Sequence, residues 1–275
     1  MDLLFESMAD YGLERSADVL ARAFEDYFVR IPFTLGMLLT LGRTDSVDLT
    51  ASRVIIRDNL PVGAALIARR GWTCRLAAMA ILPEARRSGI GRAAVIQLLA
   101  EARTRGDRMV VLEVIEQNTA AVELYRACGF ETIRRLIGFA GPPSSGAVLR
   151  DDLVDADLRE VAHMVSQAPL PDLPWQLSAE TIAQLSPPAL GYRLRDAWIA
   201  ITDPAQPVVA VSALVGRDSV EPNAATALVH AVMARHPGKT EWRFQPIWPE
   251  ELSGTLRPLG LPPTALTQFQ MRRAV

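Results

Sequence analysis

The chain is poor in several residue types, and each shortage excludes a class of protein. Cysteine occurs only at Cys74 and Cys128 in 275 residues, which is too few for a disulfide framework. The three histidines all lie in the second half without metal-ligand spacing, so no metal is expected. Lysine occurs once, at Lys239, and arginine nearly balances the acidic residues to a net charge of −2. This charge gives no reason to expect nucleic acid or an anionic membrane as a partner.

Long hydrophobic runs are also missing. No uninterrupted apolar stretch approaches the ~20 residues that a membrane span needs. The N-terminal residues 1–6 are acidic and lack the basic region that opens a signal peptide. We therefore expect a cytoplasmic protein. With 49% hydrophobic residues the chain can bury a sizeable core, and two domains are expected because single cores rarely grow past ~250–300 residues.

A glycine-bearing segment is the most informative part of the sequence. An apolar run over Leu76–Leu82 is followed by Arg86-Arg87-Ser88-Gly89-Ile90-Gly91-Arg92 and then by an apolar helical stretch over Ala93–Ala102. A strand, a tight loop and a helix N-terminus together make an anion cradle. Gly89 and Gly91 allow close backbone approach or positive φ. The alternatives are an ordinary turn and ordinary solvated arginines.

A carboxylate follows in a strand of otherwise apolar residues. Val110–Ile115 alternates in a β pattern that places Glu113 among apolar neighbours. Such a position is costly unless the carboxylate is paired or functional. Burial would raise the pKa of Glu113, which suits a general base. The alternative is a structural carboxylate bonded to an arginine or to the backbone.

A helix is predicted after this strand. Asn118 is a good N-cap, and Gly129 marks a C-cap position. Tyr125 lies one helical turn before this stop. From the residues alone it is a core tyrosine with a satisfied hydroxyl or a functional acid.

These motifs together resemble the GNAT acetyltransferases. The resemblance rests on Arg86-x-x-Gly89-x-Gly91, then Leu112-Glu113-Val114, Asn118 and Leu124-Tyr125-x-x-x-Gly129-Phe130. The later motifs are similar to the ribosomal-protein N-terminal acetyltransferases within that superfamily. The strong similarity covers roughly residues 54–138.

The resemblance implies acetyl-CoA as acyl donor and a role for each matched residue. Strand groups bind the pantetheine arm, the glycine loop binds pyrophosphate, Glu113 is the base and Tyr125 protonates the leaving thiolate. A phenol with a pKa near 10 is a reasonable acid for a thiolate with a pKa of ~8.5–9. The implied donor-binding residues are Met79, Ala80, Ile81, Arg87, Ser88, Gly89, Ile90, Gly91, Arg92 and Asn118.

The function that follows is an N-acetyltransferase moving an acetyl group from acetyl-CoA to a primary amine by direct attack. The acceptor is a small molecule or a protein amine; no nucleic acid, membrane or metal is expected, and the protein is a monomer or homodimer. The alternative is a non-catalytic acyl-CoA-binding sensor, which would not need Glu113 and Tyr125.

Two helices are predicted ahead of the strands, over 15–30 and Thr34–Leu41. Apolar positions recur at helical spacing up to Phe28. In GNAT proteins the equivalent helices wall the acceptor site, so Tyr27 and its charged neighbours are candidates to face an acceptor. The alternative is a solvated helix face with one buried aromatic residue.

The domain boundary is placed at the linker over 141–146, which is rich in proline, glycine and serine. The expected domains are 1–140, catalytic, and 147–275, degenerate. The fold class is α/β, with tandem GNAT folds that each contain a mixed, mostly antiparallel sheet flanked by helices. The sequence predicts no final strand for the first half, so a close association of the halves is expected.

The second half repeats the first at one fixed offset of 131 positions, which brings Gly129 onto Gly260. The chemical groups do not recur at this offset. Each match is a residue without the corresponding chemistry: Gly89 to Val220, Gly91 to Pro222, Glu113 to Phe244, Asn118 to Pro249 and Tyr125 to Leu256. The second half is therefore predicted to have lost its donor site.

Overall fold

The structure is a computed structural model, which describes residues 2–144, 146–216 and 223–275. The chain divides into two compact units. Unit 1 comprises Met1–Val114, Asn118–Ile133 and Gln270–Val275, and unit 2 comprises Ile115–Gln117 and Arg134–Phe269. No helix within the described ranges is long and apolar enough to cross a membrane.

Unit 1 is built on a mixed sheet. Its strands are β1 (Leu4–Ser7), β2 (Arg53–Arg57), β3 (Leu60–Arg70), β4 (Thr73–Ile81), β5 (Met109–Ile115) and β12 (Gln268–Ala274). They lie in the order β1-β2-β3-β4-β5-β12. The first four pair antiparallel, and β4 pairs parallel with β5. The helices are α1 (Met8–Tyr11), α2 (Leu13–Ala23), α3 (Leu35–Thr44), α4 (Ile90–Thr104) and α5 (Thr119–Ala127).

Unit 2 has the same kind of sheet. Its strands are β6 (Glu131–Gly141), β7 (Leu153–Ala156), β8 (Leu190–Leu194), β9 (Ala197–Ile201), β10 (Val208–Gly216) and β11 (Glu241–Pro249). They lie in the order β6-β11-β10-β9-β8-β7, with β10 and β11 parallel. The helices are α6 (Leu158–Ser166), α7 (Ala179–Ile182), α8 (Ala224–Arg235) and α9 (Ser253–Leu256).

The two halves of the chain exchange their final strands. β12 ends the chain, yet from Gln270 onward it belongs to unit 1, where it lies beside β5. β6 follows α5 in sequence, yet from Arg134 onward it belongs to unit 2, where it lies beside β11. The first half therefore takes its sixth strand from the C-terminus. The domains 1–140 and 147–275, defined along the chain, stay a prediction.

The helix predicted over 15–30 is shorter in the structure. α2 ends at Ala23, and Phe24 packs on Phe33 with ring centroids 5.2 Å apart, which closes a turn between α2 and α3. Phe28 is 50% exposed, so its inclusion in a buried helical stripe was wrong. The second helix begins as predicted, because the Thr34 hydroxyl accepts a hydrogen bond from the Met37 amide at 3.2 Å.

Each unit has its own apolar core. In unit 1, Met79 and Ile81 of β4 pack with Ile90 of α4, which fixes the end of that strand against the start of that helix. In unit 2, Trp242 and Phe244 are fully buried in a cluster that includes much of α8. The elements that hold the predicted donor site are thus anchored within unit 1.

The repeat is present, but the fixed offset was wrong. Val208 pairs with Glu241 as Thr73 pairs with Met109, so Val208 corresponds to Thr73 and not to Ala77. The reason is loop length, because β3 and β4 are joined by two residues while a longer turn joins β9 and β10.

The counterpart of Gly89 changes for the same reason. Asn223 precedes α8 in the left-handed conformation that Gly89 adopts before α4, with φ of 66° and 83°. The earlier matches, Val220 and Pro222, lie outside the described residues.

A prediction concerns the close approach of β3 to β4. A Cβ added at Gly63 would lie 2.6 Å from the Ala80 carbonyl oxygen, a backbone atom that cannot move away alone. Gly63→Ala is expected to lower the free energy of unfolding by about 1–3 kcal/mol in urea titrations. Gly36→Ala is the control, because its nearest neighbour would be 3.9 Å away and alanine favours the helix. Equal effects of the two changes would contradict this account.

Candidate active site

The site is organised by a gap that opens between β4 and β5. The parallel ladder of unit 1 runs over Thr73–Arg75 and Met109–Val111. Directly beyond it the register of β4 with β3 shifts, so that Ala77 is an extra residue in β4. A bulge of this kind bends its strand. The edge of β4 at Met79–Ile81 therefore leaves the ladder with β5, and its main-chain groups suit hydrogen bonds with an extended ligand.

The glycine loop lies at the end of this strand. Gly89 has a φ of 83°, and α4 begins at Ile90 without a side-chain cap. The first amides of an α-helix have no partner within the helix and carry the positive end of its dipole. A hydrogen bond within the segment stabilises the loop, since the Ser88 hydroxyl donates to the Ala85 carbonyl at 2.6 Å. The strand, loop and helix start that the sequence predicted are present, and their use as an anion cradle stays a prediction.

The two glycines have different roles. Gly89 is required for its positive φ, since a Cβ there would meet nothing within 4 Å. Gly91 has ordinary helical φ, but its Cβ would lie 3.4 Å from Leu124 and 3.9 Å from Ile81. A small residue at Gly91 therefore lets β4, α4 and α5 meet at one point.

The arginines of the loop also differ in their contacts. Arg86 donates from Nε to the Ile81 carbonyl at 2.9 Å and from its guanidinium to the Ala23 carbonyl at 3.3 Å. It ties the loop to β4 and to the end of α2, which is a structural role. Arg87 and Arg92 are exposed, and Arg87 itself has a positive φ of 59°.

Tyr125 is buried on α5. Its ring packs edge-on against Phe130 with centroids 5.8 Å apart. Burial raises the pKa of Tyr125 above its usual value, and the neighbouring Tyr27 and Cys128 raise it further. The phenol is therefore protonated at neutral pH and has a proton to donate.

Asn118 joins α5 to the segment after α2. Its side-chain oxygen accepts a hydrogen bond from the Ala121 amide at 3.3 Å, which confirms the predicted N-cap. Its side chain also acts on Tyr27: burial raises the pKa of Tyr27, and the polar side chain of Asn118 lowers it in part. Tyr27 is thus placed beside Asn118 and Tyr125, and not on a solvated helix face.

Glu113 is buried as predicted, with a side chain only 3% exposed. Its Oε2 accepts a hydrogen bond from Nε of Arg75 at 2.7 Å. This salt bridge is the contact that the alternative interpretation of Glu113 expected. Arg75 also lies 3.7 Å from Oδ2 of Asp45, which follows α3. Burial raises the pKa of Asp45, Arg75 lowers it and Glu113 raises it.

Asp45 and Gln270 complete the surroundings of Glu113, and sequence reasoning missed both. The Val275 amide donates to the Arg108 carbonyl at 3.2 Å and the Glu116 amide donates to the Thr267 carbonyl at 2.9 Å. In the antiparallel register that these bonds define, the buried Gln270 lies opposite Glu113. No local signal in the sequence connects residues so far apart, whereas Arg75 was detectable as the one charge in β4.

The cysteines are not suited to act as nucleophiles. Burial raises the pKa of Cys74 to about 11 and also raises the pKa of Cys128, which Arg92 and Arg273 lower in part. The Cys128 carbonyl accepts a hydrogen bond from Arg273 of β12, so the end of α5 is held by the last strand. A thiolate is the reactive form of cysteine, and these surroundings disfavour it.

Among its described residues, unit 2 keeps the gap and lacks counterparts of Glu113 and Tyr125. Its parallel ladder also covers three pairs and is followed by a register shift at Ser212. By this register Glu113 corresponds to Gln245 and not to Phe244, while Gly260 still aligns Leu256 with Tyr125. A cavity of about 680 Å³ lies there, and none of its described lining residues is charged.

The comparisons with known proteins agree with this geometry. The family model described as the acetyltransferase (GNAT) family matches residues 17–130. A mycothiol acetyltransferase from Thermobispora bispora is 52% identical over 48 residues, which is 18% of this chain and 16% of that protein. The match thus spans about a sixth of that relative.

Two solved structures resemble the whole chain. A GCN5-related N-acetyltransferase from Sphaerobacter thermophilus has a TM-score of 0.68 at 13% identity, with 99% of this chain and 95% of that chain covered. A tandem GNAT protein from the clavulanic acid biosynthesis pathway has a TM-score of 0.66 at 16% identity, with 99% and 98% covered. At these identities the likeness concerns the fold.

In unit 1 a parallel strand pair that separates after three residue pairs thus lies beside a helix that begins without a side-chain cap. Residues 17–130 match the GNAT acetyltransferase family model, and the chain as a whole has the tandem GNAT fold. The resemblance and the fold class expected from the sequence are confirmed.

A prediction follows for Asn118. Asn118→Ala removes the cap of α5, and it is expected to lower the free energy of unfolding by about 1 kcal/mol or more. Asn118→Ser keeps a capping oxygen and loses only the amide, so its loss should be smaller. Urea unfolding monitored by circular dichroism measures both. Equal losses would show that the cap contributes nothing.

Proposed function

We propose that the chain transfers an acetyl group from acetyl-CoA to a primary amine by direct attack. The observation that carries this proposal is the meeting of three elements at Gly91. A Cβ added at Gly91, in the uncapped start of α4, would lie 3.4 Å from Leu124 on the helix that bears Tyr125 and 3.9 Å from Ile81 at the opened edge of β4. A donor that is both an extended amide chain and a phosphate ester suits such a junction.

Donor binding would use main-chain groups more than side chains. In the proposal the pantetheine arm lies along Met79, Ala80 and Ile81, and the pyrophosphate lies on the loop from Arg87 to Arg92. Hydrogen bonds to charged groups contribute roughly 1.5–3 kcal/mol each, so a few loop amides and one guanidinium suffice for micromolar binding. Asn118 would contact the donor next to Tyr125.

The transfer itself needs one base, one polarising group and one acid. The amine nitrogen attacks the thioester carbonyl carbon, and Glu113 accepts its proton directly or through water. A main-chain N–H of β4 near Ile81 polarises the carbonyl. The carbon–sulfur bond breaks, and Tyr125 gives its proton to the leaving thiolate. Holding donor and amine in attack geometry is the largest contribution that such a site can make.

The acceptor is proposed only as a class, a small molecule or a protein amine. The short match to a mycothiol acetyltransferase supports acetyl transfer and covers too little of either protein to name an acceptor. The exposed apolar residues Phe28 and Val29, next to Tyr27, support an acceptor surface formed by the segment between α2 and α3. Unit 2 is proposed to bind no donor of its own.

A donor titration tests the site. Gly89→Val forces a β-branched residue into a positive φ, which costs about 1–2 kcal/mol, and it is expected to weaken acetyl-CoA binding about tenfold or more by calorimetry. Gly89→Asn is the matched control, because Asn223 adopts this conformation in unit 2. It should bind nearly as wild type does, with one site per chain. Absence of binding to the wild type would overturn the proposal.

Turnover separates an enzyme from a sensor. Tyr125→Phe is expected to lower kcat by about 10²-fold while acetyl-CoA affinity stays within a few fold, since general acids contribute at least this much. Thiol release from acetyl-CoA with an amine panel measures kcat. Tyr192→Phe in unit 2 removes a hydroxyl bonded to His236 and should leave kcat unchanged. Donor binding without turnover in wild type would favour the acyl-CoA sensor instead.

A further inference from the structure

Arg75 lies between two buried carboxylates. Its Nε is 2.7 Å from Oε2 of Glu113, and a terminal nitrogen is 3.7 Å from Oδ2 of Asp45. The side chains of Arg75 and Glu113 are 5% and 3% exposed, and that of Asp45 is 14% exposed. An ion pair so shielded from water is fixed in geometry far more strongly than one at the surface.

The backbone beneath Arg75 is fixed on both sides. It pairs with Ala68 of β3 and with Val111 of β5, and it is the last residue of the parallel ladder. Ala77, the extra residue, follows two positions later. Arg75 therefore projects from the rigid base of the gap, while the strand edge beyond it has separated from β5.

We propose that Arg75 is the positioning residue for Glu113, holding its carboxylate at the base of the gap, and that Asp45 tunes this pair from the end of α3. The inference rests on the proposed role of Glu113 as the base. Neither Arg75 nor Asp45 is among the residues to which the family resemblance gives a role.

Arginine suits this position better than lysine does. Its planar guanidinium donates from Nε in a fixed direction and still presents terminal nitrogens to a second carboxylate. The other charged or polar groups around the pair come from each neighbouring strand. Arg70 of β3 acts on Asp45, while the buried Gln270 lies on β12 opposite Glu113. Glu113 and Asp45 thus share Arg75. Removing the charge of Arg75 or of Asp45 is therefore expected to change the protonation of Glu113.

Arg75 and Asp45 carry opposite charges, so removing each one is expected to affect the Glu113 carboxylate in opposite directions. Without Arg75 the buried carboxylate of Glu113 loses its counter-charge and holds its proton to higher pH. Without the charge of Asp45 the carboxylate of Glu113 loses a repulsive neighbour and releases its proton at lower pH. If Arg75 and Asp45 only filled space, removing their charges would not change the titration of Glu113.

The experiment follows the ¹³C resonance of the Glu113 carboxyl group against pH in the full chain. Glu113→Gln assigns the resonance by removing it. Arg75→Gln is expected to move the midpoint up by about one pH unit or more, and Asp45→Asn to move it down by a few tenths. Arg75→Lys keeps the charge, so the midpoint should stay closer to wild type. An unmoved midpoint in Arg75→Gln would overturn the inference.

Acetyl transfer to benzylamine, followed by thiol release, supplies the second arm. Arg75→Lys is expected to lower kcat at least tenfold with little change in KM for acetyl-CoA, because charge is kept and direction is lost. Should Arg75→Gln fail to fold, Arg75→Lys and Asp45→Asn still decide the matter. An unmoved kcat in Arg75→Lys would remove the positioning role. If Glu113→Gln left kcat unaltered while the titrations moved as expected, the proposed base would fail and the charge pairing would stand.

Discussion

The extra residue in β4 is the constraint on which the site depends. A parallel strand pair that stayed in register would satisfy its own main-chain groups and offer nothing to a ligand. Ala77 ends that ladder after three pairs, while the antiparallel partner β3 keeps β4 rigid up to Ile81. The chain thereby exposes a fixed row of hydrogen-bonding groups without unfolding a strand, and the close approach at Gly63 keeps β3 against it.

The site has an open end that favours a negatively charged ligand and a base where charged side chains are buried. At the open end, α4 begins without a cap, and its amides and dipole favour a negatively charged ligand. At the base, Arg75 bonds to Glu113 and faces Asp45, so two buried carboxylates share one guanidinium. Burial raises the pKa of Tyr125, and Tyr27 and Cys128 raise it further, so its phenol keeps its proton.

The helices and turns of the first half were well predicted, because each is specified by residues next to it in the sequence. The cap at Asn118, the turn glycine at Gly129 and the left-handed Gly89 act through neighbouring residues and appear as expected. Longer-range features were not predictable. The pairing of Gln270 with Glu113 depends on β12, and the loss of register between the halves depends on loop lengths. The partner of Glu113 was expected only as an arginine or the backbone, since a sequence does not say which strand lies opposite.

The exchange of final strands explains why the second half persists without catalytic groups of its own. β12 covers the edge of β5, and its Arg273 holds the end of α5 through the Cys128 carbonyl. Without that strand, β5 would present an unpaired edge beside Glu113, and exposed edges invite association with other chains. The second half is thus required for the sheet of unit 1 whatever it binds. Its own gap has Gln245 and Leu256 in place of Glu113 and Tyr125, so unit 2 keeps neither the proposed base nor the proposed acid.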